Sequence, residues 1–389
     1  MLKGLIDKKE KKVEYIELIY DLVFVYIIGR NNALLHYTSN GYVTAGMFLS
    51  YVICTLAVIQ IWNYTTFYIN AYGRNSARDH IFLFVNMFLM YFLAEGTRTD
   101  WQGYHTAYHI AWALILLNIA AQYLIELRLR RDDPLHRRRI IRIVINLFGE
   151  TALIIASIFE FNAFGTSYCS WAAILFGMAA TALLGRGSKG EAVDFEHLSE
   201  RAMLYVVFTF GEMIIAVASY FEGELTLNNL YYAGMAFLIV VGLFLSYGVF
   251  YDRILNRARR TNGLWYMFFH IFLVFALNNV TVALEFMRDS NVNLMQKVVL
   301  IVLSLLMYFA FLFALCRCAK PGCRLNAGFY LMMTALGMVF AMLMIVLRDN
   351  MRANIALTVV YVAAVFFLLW RGSRKSSPEQ PEKLNGSQL

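Results

Sequence analysis

Proline, charge and cysteine are all scarce in this chain. Four prolines in 389 residues leave long stretches without a helix breaker, which excludes a proline-rich or turn-dominated architecture. Charged residues make up 15% against 60% hydrophobic, a balance that no water-soluble core can absorb. Of the five cysteines, Cys54 and Cys169 fall in apolar runs, and Cys316, Cys318 and Cys323 bracket a turn containing Pro321 and Gly322. That set gives neither a disulfide framework nor a standard zinc spacing, so no metal and no cofactor is expected. HExxH, GxSxG and phosphate-cradling loops are absent too, which removes the commonest signatures of hydrolases and nucleotide enzymes. A cleavable leader is not expected, because the first apolar run carries Glu17 and Asp21 and no small-residue cleavage site.

What is present is a succession of apolar runs, each near the length of about 20 residues that crosses a bilayer core. They fall near 17–36, 43–70, 79–95, 105–127, 139–161 and 168–184, then 198–221, 228–251, 263–286, 294–316, 323–347 and 353–370. The spacing predicts an all-α integral membrane protein of about twelve transmembrane helices.

The second six runs echo the first. AGM at Ala45–Met47 returns at Ala233–Met235, HIFL at His80–Leu83 returns at His270–Leu273, and LLGRGSK at Leu183–Lys189 is answered by LLWRGSR at Leu368–Arg374. The three matches fall in order at nearly constant offset, so the chain reads as two six-helix repeats, 1–190 and 191–371, followed by a polar, disordered cytoplasmic tail, 372–389. Six crossings return the chain to its starting side, so the repeats should be parallel, related by an axis along the membrane normal.

Basic residues set the orientation, since positively charged loops stay in the cytoplasm. Lysines at 3, 8, 9, 11 and 12 precede the first run. Alternate loops then carry Arg74 and Arg78, a cluster from Arg128 to Arg139, Arg186 and Lys189, Arg253 to Arg260, and Arg317 to Arg324, with more in the tail; the opposite side has Arg98, Arg288, Lys297, Arg348 and Arg352. Both termini are therefore expected in the cytoplasm, with the chain as a multi-pass protein of the cytoplasmic membrane. This asymmetry accounts for the formal charge of +8, so the partner is the lipid bilayer and no nucleic acid is expected. The six tryptophans are expected to mark the membrane edges.

Two motifs add an identity. ELIYDLVFV at Glu17–Val25 opens the first run, and HLSERAML at His197–Leu204, followed by GEMIIAV at Gly211–Val217, opens the seventh. This combination resembles the bacterial low-temperature-requirement A family, departing from its usual pattern at Ile19 and Met203. The resemblance implies an integral membrane protein named for a growth phenotype in the cold, and brings no substrate or reaction with it.

The charges inside the runs suggest where function lies. Glu17 and Asp21 share one helical face near the cytoplasmic surface, and two such carboxylates repel unless a cation joins them or one is protonated; Arg201 or an amino-terminal lysine is the candidate cation. With Glu200 they form an expected cytoplasmic gate. Deeper, Arg30 follows Gly29 and Glu212 follows Gly211 at equivalent places of the two repeats, about thirteen residues or roughly 20 Å of rise from the cytoplasmic end. Glu150, after Gly149, reaches a similar level, and its repeat equivalent is Met338. Charges at such depth favour pairing, and one arginine cannot neutralise two acids, so the excess carboxylate should bind a proton or cation. The preceding glycines are expected to permit close helix approach. Asn118, Asn278 and Asn279 complete the candidate midplane set, with Asn146 one turn before Glu150. The leading expectation is a secondary transporter of an unknown small molecule or ion, possible coupling being to a proton or cation; the alternative is a membrane-embedded enzyme or scaffold affecting lipid or envelope composition during cold growth.

Overall fold

A computed structural model describes residues 11–95, 101–187, 193–221, 226–323 and 325–374. Among them lie twelve α-helices: α1 (Tyr15–Asn31), α2 (Ala45–Tyr72), α3 (Ala77–Glu95), α4 (Trp101–Leu129), α5 (Pro134–Phe164), α6 (Tyr168–Gly187), α7 (Phe195–Ala218), α8 (Leu227–Val249), α9 (Leu264–Arg288), α10 (Leu294–Leu315), α11 (Ala327–Val346) and α12 (Met351–Arg374). Eleven are long and apolar enough to cross a membrane, and α6 carries a shorter apolar stretch, Tyr168–Leu183. The chain is a multi-pass, all-helical membrane protein. Lys3, Lys8, Lys9, Arg98, Lys189, Arg324 and residues 375–389 of the expected tail lie outside the described residues.

Each expected run has its helix, and the bounds differ where capping overrules hydropathy. The apolar pattern starts α5 near 139, whereas the helix begins at Pro134, because the Asp133 carboxylate accepts from the backbone N–H of Leu135 at 3.0 Å and His136 at 3.2 Å and proline suits the first helical position. At the other end Gly165 closes α5 in the left-handed region with φ 67°. Thr44, Asp194, Thr226, Asn293 and Asn326 cap α2, α7, α8, α10 and α11 in the same way. The first run continues past α1 as a 3₁₀ turn, Asn32–His36. The last helix reaches Arg374, so residues 372–374 are helical rather than part of a disordered tail.

Burial separates inner from outer helices. Every residue of α2 from Ile53 to Thr66 is buried, the mark of a helix surrounded on all sides. The apolar window of α9 is 78% buried and that of α11 only 22%, so α2 and α9 are central and α11 faces outward. α1 packs on α2, α3 and α7; α7 packs on α8 and α9; α4 lies between α3 and α5; α9 packs on α10 and α8 on α12. The α1–α7 seam, with α2 against α7 and α9, joins the first six helices to the second six.

The loops divide between two faces. Arg74 and Arg78, from the α2–α3 side, meet Arg130, from the α4–α5 side, around the buried Glu126 at 3.8, 2.7 and 3.3 Å. Nearby loops are tied similarly: Val193 N–H donates to Thr261 at 3.1 Å, and the Arg259 guanidinium to the Arg317 carbonyl at 2.8 Å. The basic loops thus gather on one face of the bundle. At the opposite face Asn40 and Gly41, with φ of 53° and 80°, turn a two-stranded hairpin, β1 (Thr38–Ser39) and β2 (Tyr42–Val43), the turn that an Asn-Gly pair favours. The Gly41 carbonyl accepts from Asn293 N–H at 2.8 Å and docks this hairpin on the start of α10.

The tryptophans do not all follow the expected belt. Trp62 and Trp112 are fully buried; Trp62 stacks on Tyr205 with centroids 4.3 Å apart and donates its indole N–H to Asp21 at 2.8 Å. For Trp62 this internal acceptor offsets the cost of burying the indole.

The Asp133 cap gives a test. The N–H and imidazole of His136 hold its carboxyl below the usual aspartate range, so its contribution is full at and above that range and is lost as pH falls through the depressed value. Asp133→Ala is expected to speed amide exchange at Leu135 and His136 at neutral pH, with no matching change at the Gly165 end of α5.

Candidate functional site

Two buried polar centres stand out, and the first lies in the α1–α7 seam. Glu17 and Asp21 are one turn apart on α1, both facing α7, where Arg201 is wholly buried. The guanidinium pairs with Glu17 Oε2 at 3.0 Å and with Asp21 Oδ1 in closer contact. His197, one turn earlier on α7, places Nε2 3.4 Å from Glu17 Oε2. On its other side Asn70 of α2 donates its amide to His197 Nδ1 at 3.1 Å and to the Asp194 carbonyl at 2.8 Å. With Nδ1 accepting, the ring carries its proton on Nε2 and is neutral. Two carboxylates thus face one guanidinium and one imidazole, with the Lys11 ammonium acting on Glu17 from the entering chain. Trp62 and the Arg201 guanidinium, 5.9 Å above its ring, close the centre from α2.

Glu17 also lines a cavity of about 670 Å³ on the basic face, with Lys11, Lys12, Arg74, Asp79 and His80. Lys11 donates to the Ile69 carbonyl and, at 3.0 Å, to that of Gly73, tying the entering chain to the end of α2. Burial pushes the Lys11 ammonium below its usual range. Glu200, half-buried, acts electrostatically on Tyr251 beyond the end of α8; among the described residues the ion pairs of Arg201 run to Glu17 and Asp21.

The second centre surrounds Glu150, wholly buried on α5. Tyr64 of α2 donates its hydroxyl to Glu150 Oε2 at 2.7 Å, Gln60 donates its amide to Tyr64 at 2.8 Å and to the same carboxylate at 3.5 Å, and Asn146 donates to Tyr64 at 3.5 Å. A Cβ on Gly177 of α6 would overlap the Gln60 amide, the Glu150 carboxylate and the Tyr64 hydroxyl, so only glycine lets these groups rest on the α6 backbone.

The remaining midplane residues are spread over other helix junctions. Glu212 is half-buried against Gly29, where a Cβ would overlap its carboxylate; Arg30, also half-buried, is the next residue along. Asn118 donates to Asn86 at 2.8 Å and to the Phe82 carbonyl at 2.9 Å, joining α4 to α3. Asn278 donates to Asn32 at 2.7 Å and to Tyr51 at 2.9 Å, while Tyr51 donates to Asn279 at 3.1 Å, linking α9 to the 3₁₀ turn after α1 and to α2. α2, buried from Ile53 to Thr66, packs against both α1 and α9 and reaches Glu150 through Tyr64 and Gln60. Of the three glycines that precede the charges, Gly29 meets Glu212 and Gly149 meets the Phe176 ring, whereas Gly211 has no neighbour within 4 Å of its Cβ position; its role as a close-approach site is not realised.

Residues 12–368 match the model of a family described as bacterial low temperature requirement A protein, LtrA. The chain belongs to the LtrA family. No curated protein and no solved structure matches it. Both family motifs of this LtrA chain lead into the seam: Glu17 and Asp21 come from the first, His197 and Arg201 from the second. Sequence reading missed Gln60, Tyr64, Asn70 and Trp62, although a signal for them exists. The segment QIWNYTT, 60–66, crowds polar groups into the middle of an apolar run, an arrangement that hydrocarbon would penalise unless the groups face protein.

Arg201 is the group whose loss should cost most. Arg201→Gln leaves two carboxylates buried without a cation and is expected to lower stability by about 3–5 kcal/mol. Adding Glu17→Gln and Asp21→Asn should restore much of the loss, read as the thermal unfolding midpoint in detergent; a loss that the added changes fail to reduce would argue against an electrostatic cause.

Proposed function

We propose that this LtrA protein is a secondary transporter of the cytoplasmic membrane, moving a small solute or ion with coupling to a proton or other cation. The observation that carries the reading is the buried Glu17–Arg201–Asp21 centre, which joins the first six helices to the second six and opens toward a cavity on the basic face. Such a centre is a gate in chemical terms: it holds the two halves together while its charges are matched, and loosens when a proton, an ion or a charged solute changes the balance.

The packing supports a duplicated architecture. α1 lies on α2 and α3 as α7 lies on α8 and α9, α3 on α4 as α9 on α10, and α2 on α6 as α8 on α12. Glu17 meets Arg201 at one end of the seam and Gly29 meets Glu212 further along, so α1 and α7 run parallel, as an axis along the membrane normal requires. On this reading 1–190 and 191–371 are the repeats, the basic loops and both termini are cytoplasmic, and the halves rock about the seam. Glu17, Asp21 and Arg201, with Glu200 beside them, act as the cytoplasmic gate. Arg30, Glu150 and Glu212 supply the deeper charges, while Asn118, Asn278 and Asn279 hold the helices that carry them.

Proteoliposomes holding the purified protein, loaded with a pH dye and supplied with pooled metabolites, test this reading. Metabolite-dependent proton flux is expected in the wild type and is expected to disappear in Glu212→Gln while the variant stays folded. Equal flux in both would remove Glu212 from the coupling path. Absence of flux in both, repeated with a sodium-sensitive dye, would favour a role in lipid or envelope composition instead, to be followed by lipid profiles of deletion cells.

A further inference from the structure

Among the described residues the buried carboxylates divide unevenly. Glu17 and Asp21 pair with Arg201, Asp79 with Arg78, and Glu126 with three arginines. Glu150 has only neutral partners, Tyr64 and Gln60. Its second oxygen, Oε1, has no hydrogen-bond partner, and neither has Gln60 Oε1 nor Asn146 Oδ1. All three residues are at least nine-tenths buried, at 0%, 4% and 4% exposure. Three buried acceptor oxygens thus remain unmet on side chains that all bond one tyrosine hydroxyl, an arrangement that costs free energy unless something completes it.

We propose that Glu150, Gln60 and Asn146 form a binding site for a monovalent alkali cation, the coupling ion of the transporter proposed above, on which reading that role rests. Oxygen donors suit hard cations, and a single carboxylate balances a single positive charge. A divalent ion is poorly matched, since no group of three or more His, Cys, Asp or Glu side chains able to hold a metal occurs among the described residues. The residues stand in register: Gln60 and Tyr64 are one turn apart on α2, and Asn146 and Glu150 one turn apart on α5. Tyr64 positions the carboxylate by donating to Oε2, which leaves Oε1 to the ion. Gly177 provides room for the cluster on α6.

A cavity of about 190 Å³ lies beside the cluster: Tyr64, Asn146 and Thr181 line it together with Arg138, Arg139 and Arg142. Arg138 and Arg142 are exposed and Arg139 is half-buried, so water and salt screen the charge of the exposed pair over about 8 Å at physiological ionic strength. Tyr64 joins this lining to the Glu150 carboxylate.

The test is the thermal unfolding midpoint of the full-length protein in detergent, titrated at fixed pH with NaCl or KCl replacing choline chloride at constant ionic strength. NaCl or KCl is expected to raise the midpoint saturably where choline does not, as a ligand of the folded state must. Glu150→Gln should abolish the rise, and Asn146→Ser should move its half-saturation to higher concentration. Gly177→Ala, which displaces the cluster without removing a ligand, should weaken the response as well and serves if Glu150→Gln fails to fold. Equal midpoints in all three chlorides, or a cation response that survives Glu150→Gln, would overturn the site. Because binding is read without transport, failure here leaves the transporter reading to the flux assay, and binding without flux retains the site while removing that reading.

Discussion

Arg201 sits where a low-dielectric interior is least forgiving, between two carboxylates that repel each other and that neither helix could bury alone. Removing a guanidinium and two carboxylates from water costs several kcal/mol per ion, and only close mutual pairing recovers that cost. The pairing requires the first turns of α1 and α7 to lie side by side and parallel. It also requires α2 to pass close enough for Trp62 to donate to Asp21 and for Asn70 to hold His197. The central place of α2, buried from Ile53 to Thr66, is therefore a condition of the charge centre as much as of apolar packing. One guanidinium offsets one negative charge, and Lys11 and His197 stand on the Glu17 side of the other.

The two deeper carboxylates meet a related problem with a different device. Glu212 lies against Gly29 and Glu150 against Gly177, each at a point where a β-carbon would overlap the acid. A glycine facing a carboxylate lets a long polar side chain lie on the neighbouring backbone in the space that a methyl group would fill, so the helices stay in contact with the acid between them. The device differs from the small-residue contact usual in membrane bundles, where the gain is backbone approach itself. It explains why the glycine that matters for Glu150 is Gly177 on α6, twenty-seven residues away in sequence, rather than the adjacent Gly149.

Much of the architecture was legible because hydrocarbon imposes a simple rule: a chain must bury its backbone polarity in helices about 20 residues long. Twelve apolar runs predicted twelve helices, and their ends moved mainly where a cap such as Asp133 extended a helix beyond its apolar stretch. The pairing of Arg201 with the Glu17–Asp21 face was legible as one of two options, since spacing fixed the face and charge demanded a partner. The surroundings of Glu150 were not, because they depend on which helix occupies the centre, and hydropathy ranks helices by apolarity rather than by position. α2 is polar at Gln60, Asn63, Tyr64, Thr65 and Thr66 yet lies inside, whereas α11 is apolar and lies outside. In a membrane the more polar helix belongs within the bundle, and applying that rule to 60–66 would have placed Tyr64 and Gln60 beside a buried acid.

The distribution of polar contacts along the seam bears on how a rocking motion would proceed. At the basic face the halves are joined by charges, whose strength changes by a whole unit of charge when a proton or ion arrives. Further along, Asn32, Tyr51, Asn278 and Asn279 join α1, α2 and α9 through neutral hydrogen bonds, and on the opposite face the Asn40–Gly41 hairpin holds the start of α10 by its backbone. Neutral bonds of this kind are insensitive to charge state and lose about as much on breaking in one conformation as in the other. A change of charge at Glu17 or Asp21 would therefore loosen the basic end first, while the amide network and the hairpin keep the far end together. The pivot of the proposed motion belongs at that far end, and the opening at the cavity that Glu17 lines.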